Sequence, residues 1–269
     1  MLPRSQERGS SGDRRGRAGN STPYRRTLYG LFWSVLKRLR ERKIQDEKVA
    51  IPRQVARERS VRSLSAMFSC SAERIYSYLD DCRRDSFLVE SRLQLKNLTL
   101  QGGVDGSAST FDAETMYLVV RLLGPECIVE TGVLYGVFSA YILAALERNG
   151  SGRLYSIDLP FTFSVGSQGT LVPTVLRHRW SLIVGNALVE LPKLVEQLRN
   201  IQMFHHDSNH NYDYMTWEYS VAWPYITSGG VLSSHDVLAN PSFDHFGRRH
   251  RGEISSLFVS RNFGAARKA

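Results

Sequence analysis

The stretch 128-IVETGVLYGVFSAYIL-143 joins a short apolar run to a longer helical one through a turn carrying glycines at 132 and 136. Cys127-Ile128-Val129-Glu130 reads as a buried strand, because four residues of mostly apolar character end at a glycine and lack helical spacing. Gly132 and Gly136 let the backbone turn sharply and approach a ligand, and the helix that follows offers free N–H groups there. The spacing is GxxxG with an acidic residue, Glu130, two positions before the first glycine, whereas a dinucleotide fold prefers GxGxxG. Taken alone, GxxxG describes a tight strand-to-helix turn equally well.

Outward from this turn the patterns alternate. A helix starting near Phe111 (FDAETMYLVVRLLG) precedes the strand, and VFSAYILAALERNG follows it as a helix. Next come a strand from Arg153 to Asp158, a long loop, a strand from Trp180 to Val184 and a helix from Ala187 to Arg199. A strand from Ile201 to Phe204, a helix through Tyr219, a strand from Gly230 to Ser234 and a C-terminal tail complete the series. Alternating strands and helices predict parallel strands joined by crossovers, an open doubly wound α/β sheet. Ligands in that architecture bind beyond the carboxyl ends of the strands. Asp158, closing the second strand just after a glycine turn and its helix, is therefore read as a carboxylate for a ribose's hydroxyls rather than a plain cap.

The chain has 269 residues and a net charge of +9, which at first looks like a nucleic-acid signal. Residues 1–62 hold 17 Lys+Arg against 6 Asp+Glu, while the remainder holds 18 against 20. The basic character is confined to an N-terminal arm, so a nucleic-acid partner is not expected. Residues 1–22 are rich in Gly, Ser and Arg and are expected to be disordered. Residues 23–94 read as a helical cap. Within it PYRRTLYGLFWSVLKRLRERKIQDEKV places Leu28, Leu31, Phe32, Val35, Leu36 and Leu39 at helical spacing among arginines and lysines. Such a basic amphipathic helix packs on the body or on a second copy in a homo-oligomer, with peripheral contact to an anionic membrane as the alternative. A further helix is expected from about Ser71 to Asp85. Cys70, Cys82 and Cys127 are odd in number and widely spaced, which implies neither a disulfide framework nor a zinc cluster. No apolar h-region opens the sequence and no apolar run is long enough to span a bilayer, so the expectation is a cytoplasmic protein.

Residues 95–269 resemble the class I S-adenosylmethionine-dependent methyltransferases. The branch they resemble most is the small-molecule and sugar O-methyltransferases related to macrolide and cephalosporin tailoring enzymes. The resemblance rests on VETGVLYGVFS, SIDLP, Val165-Gly166 and Val172-Pro173 flanking a loop, HDSNHNY, WEYSVAWPYITSGGVL, and HDV followed by Asn240 and Phe243. It implies a seven-stranded, mostly parallel Rossmann-like sheet whose last strand, near Gly264 to Lys268, runs antiparallel. It also implies that Glu130, Gly132, Tyr135, Gly136 and Ser139 line the methionine end of the cofactor, that Asp158 holds the ribose, and that Gly185-Asn186 lie near the adenine.

The segment 205-HHDSNHNYDYMTWEY-219 begins where the fourth strand ends and therefore projects toward the cleft. Asp207, His210 and Tyr212 form D-x-x-H-x-Y, in which the resemblance makes the Asp a helper in binding a divalent metal and the His a general base. Asp207 and Asp236, from neighbouring strand ends, would suit a hard cation such as Mg²⁺. His235 replaces one member of the acidic pair seen in such relatives, which makes Asp207, His235 and Asp236 the candidate ligands and shifts preference toward a metal that accepts imidazole. Metal and base share a purpose, since an acceptor hydroxyl is a poor nucleophile until its proton is removed. His205 is expected to be satisfied within the sheet. His206 and His210 are spaced like a zinc pair but lack the intervening glutamate of a zinc hydrolase helix.

The loop Leu159 to Pro173 has the length and apolar content of a lid that excludes water. Trp217, Trp223 and Tyr225 are expected in packing roles. The sequence thus predicts methyl transfer from S-adenosylmethionine to a hydroxyl of a small molecule or sugar, with or without a divalent cation. Two alternatives stand beside it. One is a non-catalytic cofactor-binding scaffold; the other is an NAD(P)-dependent oxidoreductase, which would want GxGxxG and a separate substrate domain.

Overall fold

The computed structural model describes residues 52–100, 109–160 and 167–269. The tail 1–22, the amphipathic segment 23–49 and the centre of the 159–173 loop lie outside them. Three helices open the described chain: α1 (Arg53–Phe68), α2 (Ala72–Arg84) and α3 (Ser86–Leu100). The helix expected from Ser71 to Asp85 is α2, with Ser71 accepting the Arg74 backbone N–H as its N-cap. The boundary expected between residues 94 and 95 falls inside α3, which runs through it unbroken.

Helix α4 (Thr110–Leu123) is capped by Ser109, which accepts the Asp112 N–H, and ends where Gly124 adopts a left-handed conformation. The strand-and-helix series then follows the expected order: β1 (Cys127–Thr131), α5 (Val137–Asn149), β2 (Arg153–Asp158), β3 (Trp180–Val184), α6 (Ala187–Leu198), β4 (Ile201–His206), α7 (Tyr212–Ala222), β5 (Ile226–Ser234), α8 (Ser242–Arg249), β6 (Ile254–Ser260) and β7 (Phe263–Lys268). Two strands are longer than their apolar runs foretold. β4 continues through His205 and His206, and β5 begins four residues earlier, at Ile226.

The seven strands lie in the order β3-β2-β1-β4-β5-β7-β6. β1 to β5 are parallel, and β7 runs antiparallel to both β5 and β6, as the resemblance implied for the last strand. The strand order reverses between β1 and β4, which puts the carboxyl ends of these two strands at the switch point where such sheets bind ligands. Register pairs Glu130 with His205 and Thr131 with His206, so the glycine turn and the histidine segment leave the sheet side by side.

Helices cover both faces. On one, α1, α2, α4 and α5 bury Leu64, Ile75, Met116 and Leu143 against Ile128, Met203 and Val231 of the sheet. On the other, α6, α7 and α8 bury Leu191, Tyr219 and Phe246 against Val129, Phe204 and Leu232. Polar contacts also tie α1 and α2 to α4, and α1 to the sheet. Arg57 and Arg83 both pair with the buried carboxylate of Glu114, Ser60 bonds Ser260 on β6 at 2.6 Å, and Arg267 on β7 donates to the Met67 carbonyl. No helix among the described residues is long and apolar enough to cross a membrane.

Candidate active site

The first half of the site is built by the glycine turn. Gly132 has φ +83°, and a Cβ there would lie 2.2 Å from the Asp207 carbonyl oxygen, so only glycine lets the β1 and β4 ends approach this closely. Gly136 has φ +87° and its Cα hydrogens face Gly169 and Val172, where a Cβ would meet backbone at 2.9 Å. The segment after the long loop is hydrogen-bonded onto the turn, since Gly169 N–H donates to Leu134 O and Leu171 N–H to Tyr135 O, both at 2.9 Å. The described part of the expected lid therefore lies on the glycine turn.

Beneath the turn Glu130 is fully buried. Its Oε2 accepts the hydroxyls of Ser139 and Ser156, each at 2.6 Å, while Oε1 has no partner. Burial pushes this carboxyl up to about 8, with the two hydroxyls pulling against it. Trp180 donates its indole N–H to Ser156 and extends the chain to β3. A buried carboxylate with one oxygen lacking a donor suits a cationic group such as the ammonium of a methionine moiety. Asp158 also has a pKa raised by burial, and its two oxygens accept the N–H groups of Leu134 and Leu159, leaving acceptor capacity for a ligand's hydroxyls. Asn186 caps α6 by accepting the Leu188 N–H and is exposed at the end of β3. Tyr135 is buried within the helix-side core.

The second half lies beyond β4 and β5. Asp207 Oδ1 is 2.9 Å from Nδ1 of His235 and 3.4 Å from Nε2 of His210. His210 Nδ1 lies 3.2 Å from Oδ2 of Asp236, a residue held at φ +51°. Asp207, His210 and His235 thus bring three potential metal-ligand atoms within 4.8 Å of one another. Burial alone would lower His235, but the Asp207 charge and its contacts with Asp112 and Asp207 raise it to about 10. Conversely, burial would raise Asp207, and the charge and hydrogen bonds of His235 and His210 hold it well below the usual carboxylate range. Asn240 donates to the His210 carbonyl at 3.0 Å and fixes the loop. Tyr212, the last member of D-x-x-H-x-Y, bonds His245 on α8 instead of facing the cluster.

The remaining histidines separate as expected in one case only. His205 is fully buried between Phe138 and Phe263, bonds Ser233, and is driven down to about 3 by burial, so it stays neutral. His206 is equally buried but belongs to a network that sequence reasoning missed. Glu218 on α7 accepts from His206 Nδ1, from Thr131 Oγ1 at 2.5 Å and from Ser208 Oγ at 2.8 Å. Asp112 is the second omission, with Oδ2 3.7 Å from His235 Nε2. The one signal for it was the S-x-x-D spacing of Ser109 and Asp112 at the start of α4. Trp217, Trp223 and Tyr225 all pack against the second core layer, with Trp223 bonding Glu253.

Residues 129–237 match a family model described as a methyltransferase domain. Among solved structures, the chain is similar to the O-methyltransferase TomG from Streptomyces achromogenes, involved in tomaymycin synthesis and solved with S-adenosylmethionine. The two are 18% identical, with 69% of this chain and 91% of that one covered and a TM-score of 0.54. The methyltransferase PaMTH1 from Podospora anserina, bound to S-adenosylhomocysteine, is 14% identical over 74% and 95% with a TM-score of 0.53. A methyltransferase from Geobacter sulfurreducens is 18% identical over 73% and 96% with a TM-score of 0.51. No curated protein matches the chain in sequence. Residues 129–237 thus match a methyltransferase domain, and the strand order is that of the seven-stranded Rossmann-like methyltransferase fold.

Proposed function

We propose that the protein transfers the methyl group of S-adenosylmethionine to a hydroxyl oxygen of a small molecule or sugar. The observation that carries this reading is the direct contact between the two half-sites, since the Asp207 backbone lies against Gly132. The glycine turn, with Glu130 and Asp158 beneath it, supplies the cofactor side, and the Asp207–His210–His235 cluster, whose Asp207 backbone lies against that turn, supplies the acceptor side. The cofactor supplies an electrophilic methyl on a sulfonium. In the transfer, the acceptor oxygen forms its bond to that carbon while the carbon–sulfur pair leaves with sulfur as a neutral thioether.

The acceptor's proton must go to a base. In the ion-free protein His210 fills that role, with Asp236 Oδ2 3.2 Å from its Nδ1 and Asp207 Oδ1 3.4 Å from its Nε2. Asp207 orients the ring from the side of β4. Glu130 and Ser139 would meet the methionine end, Asp158 the ribose and Asn186 the adenine side. A divalent cation held by Asp207 and His235, with Asp236 beside them, would further acidify the hydroxyl.

Isothermal titration of S-adenosylmethionine against NAD tests the cofactor, and preferential NAD binding would end the reading. An acceptor panel screened for S-adenosylhomocysteine release, with and without EDTA, tests the reaction. His210→Ala is expected to retain the cofactor and lose turnover in the EDTA arm.

A further inference from the structure

Trp180, the first residue of β3, pairs in register with Leu154, and Ser156 lies two residues further along β2 on the same face. The indole N–H reaches the Ser156 hydroxyl across this diagonal at 2.9 Å. An indole only donates, and a hydroxyl has a single proton to give. With Trp180 donating to Ser156, the hydroxyl's own proton is directed to Glu130 Oε2, 2.6 Å away, where it favours the ionised carboxylate. A ring on β3 thus fixes one of the two hydroxyls that Glu130 accepts.

The outer edge of the same ring carries the segment that follows the long loop. Gly169 has φ +66°, and a Cβ there would stand 2.2 Å from Trp180 Cη2, so only a glycine rests on the indole this closely. Arg177 lies over the ring with Cζ 5.2 Å from its centroid, and donates from Nη2 to Gly169 O at 2.8 Å and from Nε to Val172 O at 3.3 Å. From this seat the Gly169 N–H reaches Leu134 O at 2.9 Å. Leu134 has φ +52°, a costly conformation for a residue with a side chain, and its own N–H donates to Asp158 Oδ2 at 2.9 Å. The strained residue is therefore held from both sides, by Gly169 and by Asp158.

We propose that Trp180 is a positioning residue for both carboxylates of the cofactor side. Its N–H orients Ser156 toward Glu130 at the methionine end, and its ring seats Gly169 so that Leu134 is held against Asp158 at the ribose end. The inference rests on the cofactor side of the proposed function, and neither effect requires Trp180 to touch the cofactor. The two arms are separable by ligand. A ligand without the amino-acid end feels only the ribose arm, and the ratio of its affinity to that of the whole cofactor product isolates the methionine arm.

Calorimetry on the full chain compares S-adenosylhomocysteine with 5′-methylthioadenosine, a nucleoside that lacks the amino-acid end. Ser156→Ala and Trp180→Phe are each expected to lower the ratio of the two affinities about 3- to 10-fold, and the double variant no further than either. Gly169→Ala is expected to weaken both ligands by one factor and leave the ratio alone, and Trp180→Phe to weaken 5′-methylthioadenosine as well. Trp180→His, whose Nε2 takes the place of the indole nitrogen without the outer ring, should restore the ratio but not the affinities. Circular dichroism checks that each variant is folded. If Trp180→Phe is not, Trp180→His, Ser156→Ala and Gly169→Ala carry the same comparison. A ratio unmoved by Ser156→Ala or Trp180→Phe, a further fall in the double variant, or 5′-methylthioadenosine binding untouched by Gly169→Ala would overturn the inference while the cofactor reading stands. Absence of S-adenosylhomocysteine binding by the wild type would end that reading and this inference with it.

Discussion

Ser139, on the first turn of α5, donates its hydroxyl to Oε2 of the buried Glu130 at 2.6 Å, across the turn that Gly132 and Gly136 form. This bond leaves the other carboxyl oxygen without a partner at the base of the cofactor side. Burial raises the carboxyl from its ordinary 4.5 to about 8, so at neutral pH the proton is on. A cation arriving beside it favours the ionised form, and binding then releases a proton. Affinity for S-adenosylmethionine is therefore expected to climb as pH rises toward 8 and to level off above it. Calorimetry at pH 7 in buffers of different ionisation enthalpy should count close to one proton released by the wild type and none by Glu130→Gln. Equal counts in the two proteins would remove Glu130 from the cofactor side.

The same carboxyl ties stability to pH. Its folded pKa lies above its unfolded one, so its contribution is whole below about 4.5 and is lost as pH rises toward 8, with a slope of about 1.4 kcal/mol per pH unit inside that window. Urea denaturation from pH 5 to 8 should show a shallower fall for Glu130→Gln than for the wild type.

Gly132 and Gly150 both have positive φ, yet their surroundings differ completely. A Cβ at 132 runs into the Asp207 carbonyl at 2.2 Å, and one at 150 meets nothing within 4 Å. Gly150→Ala should cost about 1 kcal/mol of left-handed strain alone. Gly132→Ala should cost at least about 2 kcal/mol and disturb the β1–β4 junction as well, because backbone rather than a flexible side chain must move. Denaturation midpoints compare the two directly, and equal losses would contradict the close approach.

The central sheet was legible because β1 and β4 are buried on both faces and begin as plain apolar runs; Trp180–Val184, at the sheet edge and only half-buried, still matches to the residue. β6 was not, since Ile254–Ser260 lies at the sheet edge with Leu257 and Val259 exposed, and its pattern merges with a polar tail. α1 was hidden for a related reason. Its buried face includes Arg57 and Ser60, which pair with Glu114 and Ser260 far away in sequence. In the site, Asp207, His210, His235 and Asp236 could be read as neighbours from strand ends alone. Which carboxylate faces which ring could not, because that depends on the positive φ of Asp236 and on Asp112 arriving from a helix that precedes the sheet.

Asn240 holds the His210 backbone carbonyl at 3.0 Å and reaches the Met215 sulfur with the same amide nitrogen. It touches neither the glycine turn nor Glu130. Asn240→Ala should therefore lower kcat about tenfold through a looser His210 while leaving the cofactor Kd unchanged. Asn240→Asp, which sets a carboxylate against a carbonyl, should be worse than alanine. A loss seen mainly in cofactor affinity would show that the loop serves the other half-site.

Glu218 is fully buried and accepts from three donors that leave the sheet at two places: Thr131 at the end of β1, and His206 and Ser208 at and after the end of β4. One carboxylate thus sets the separation of the half-sites and keeps the His206 proton on Nδ1. Glu218→Ala strands three donors in the interior, each worth about 1 to 3 kcal/mol when unmet, and non-additivity brings the expected loss to about 3 kcal/mol. Glu218→Gln keeps the shape but presents one carbonyl where Oε2 now accepts two donors. It should fold, lose less stability, and let the His206 proton redistribute between the ring nitrogens. Nitrogen-15 shifts of the His206 ring report this directly, and an unchanged Nδ1–H tautomer in the glutamine variant would show that Glu218 does not set it.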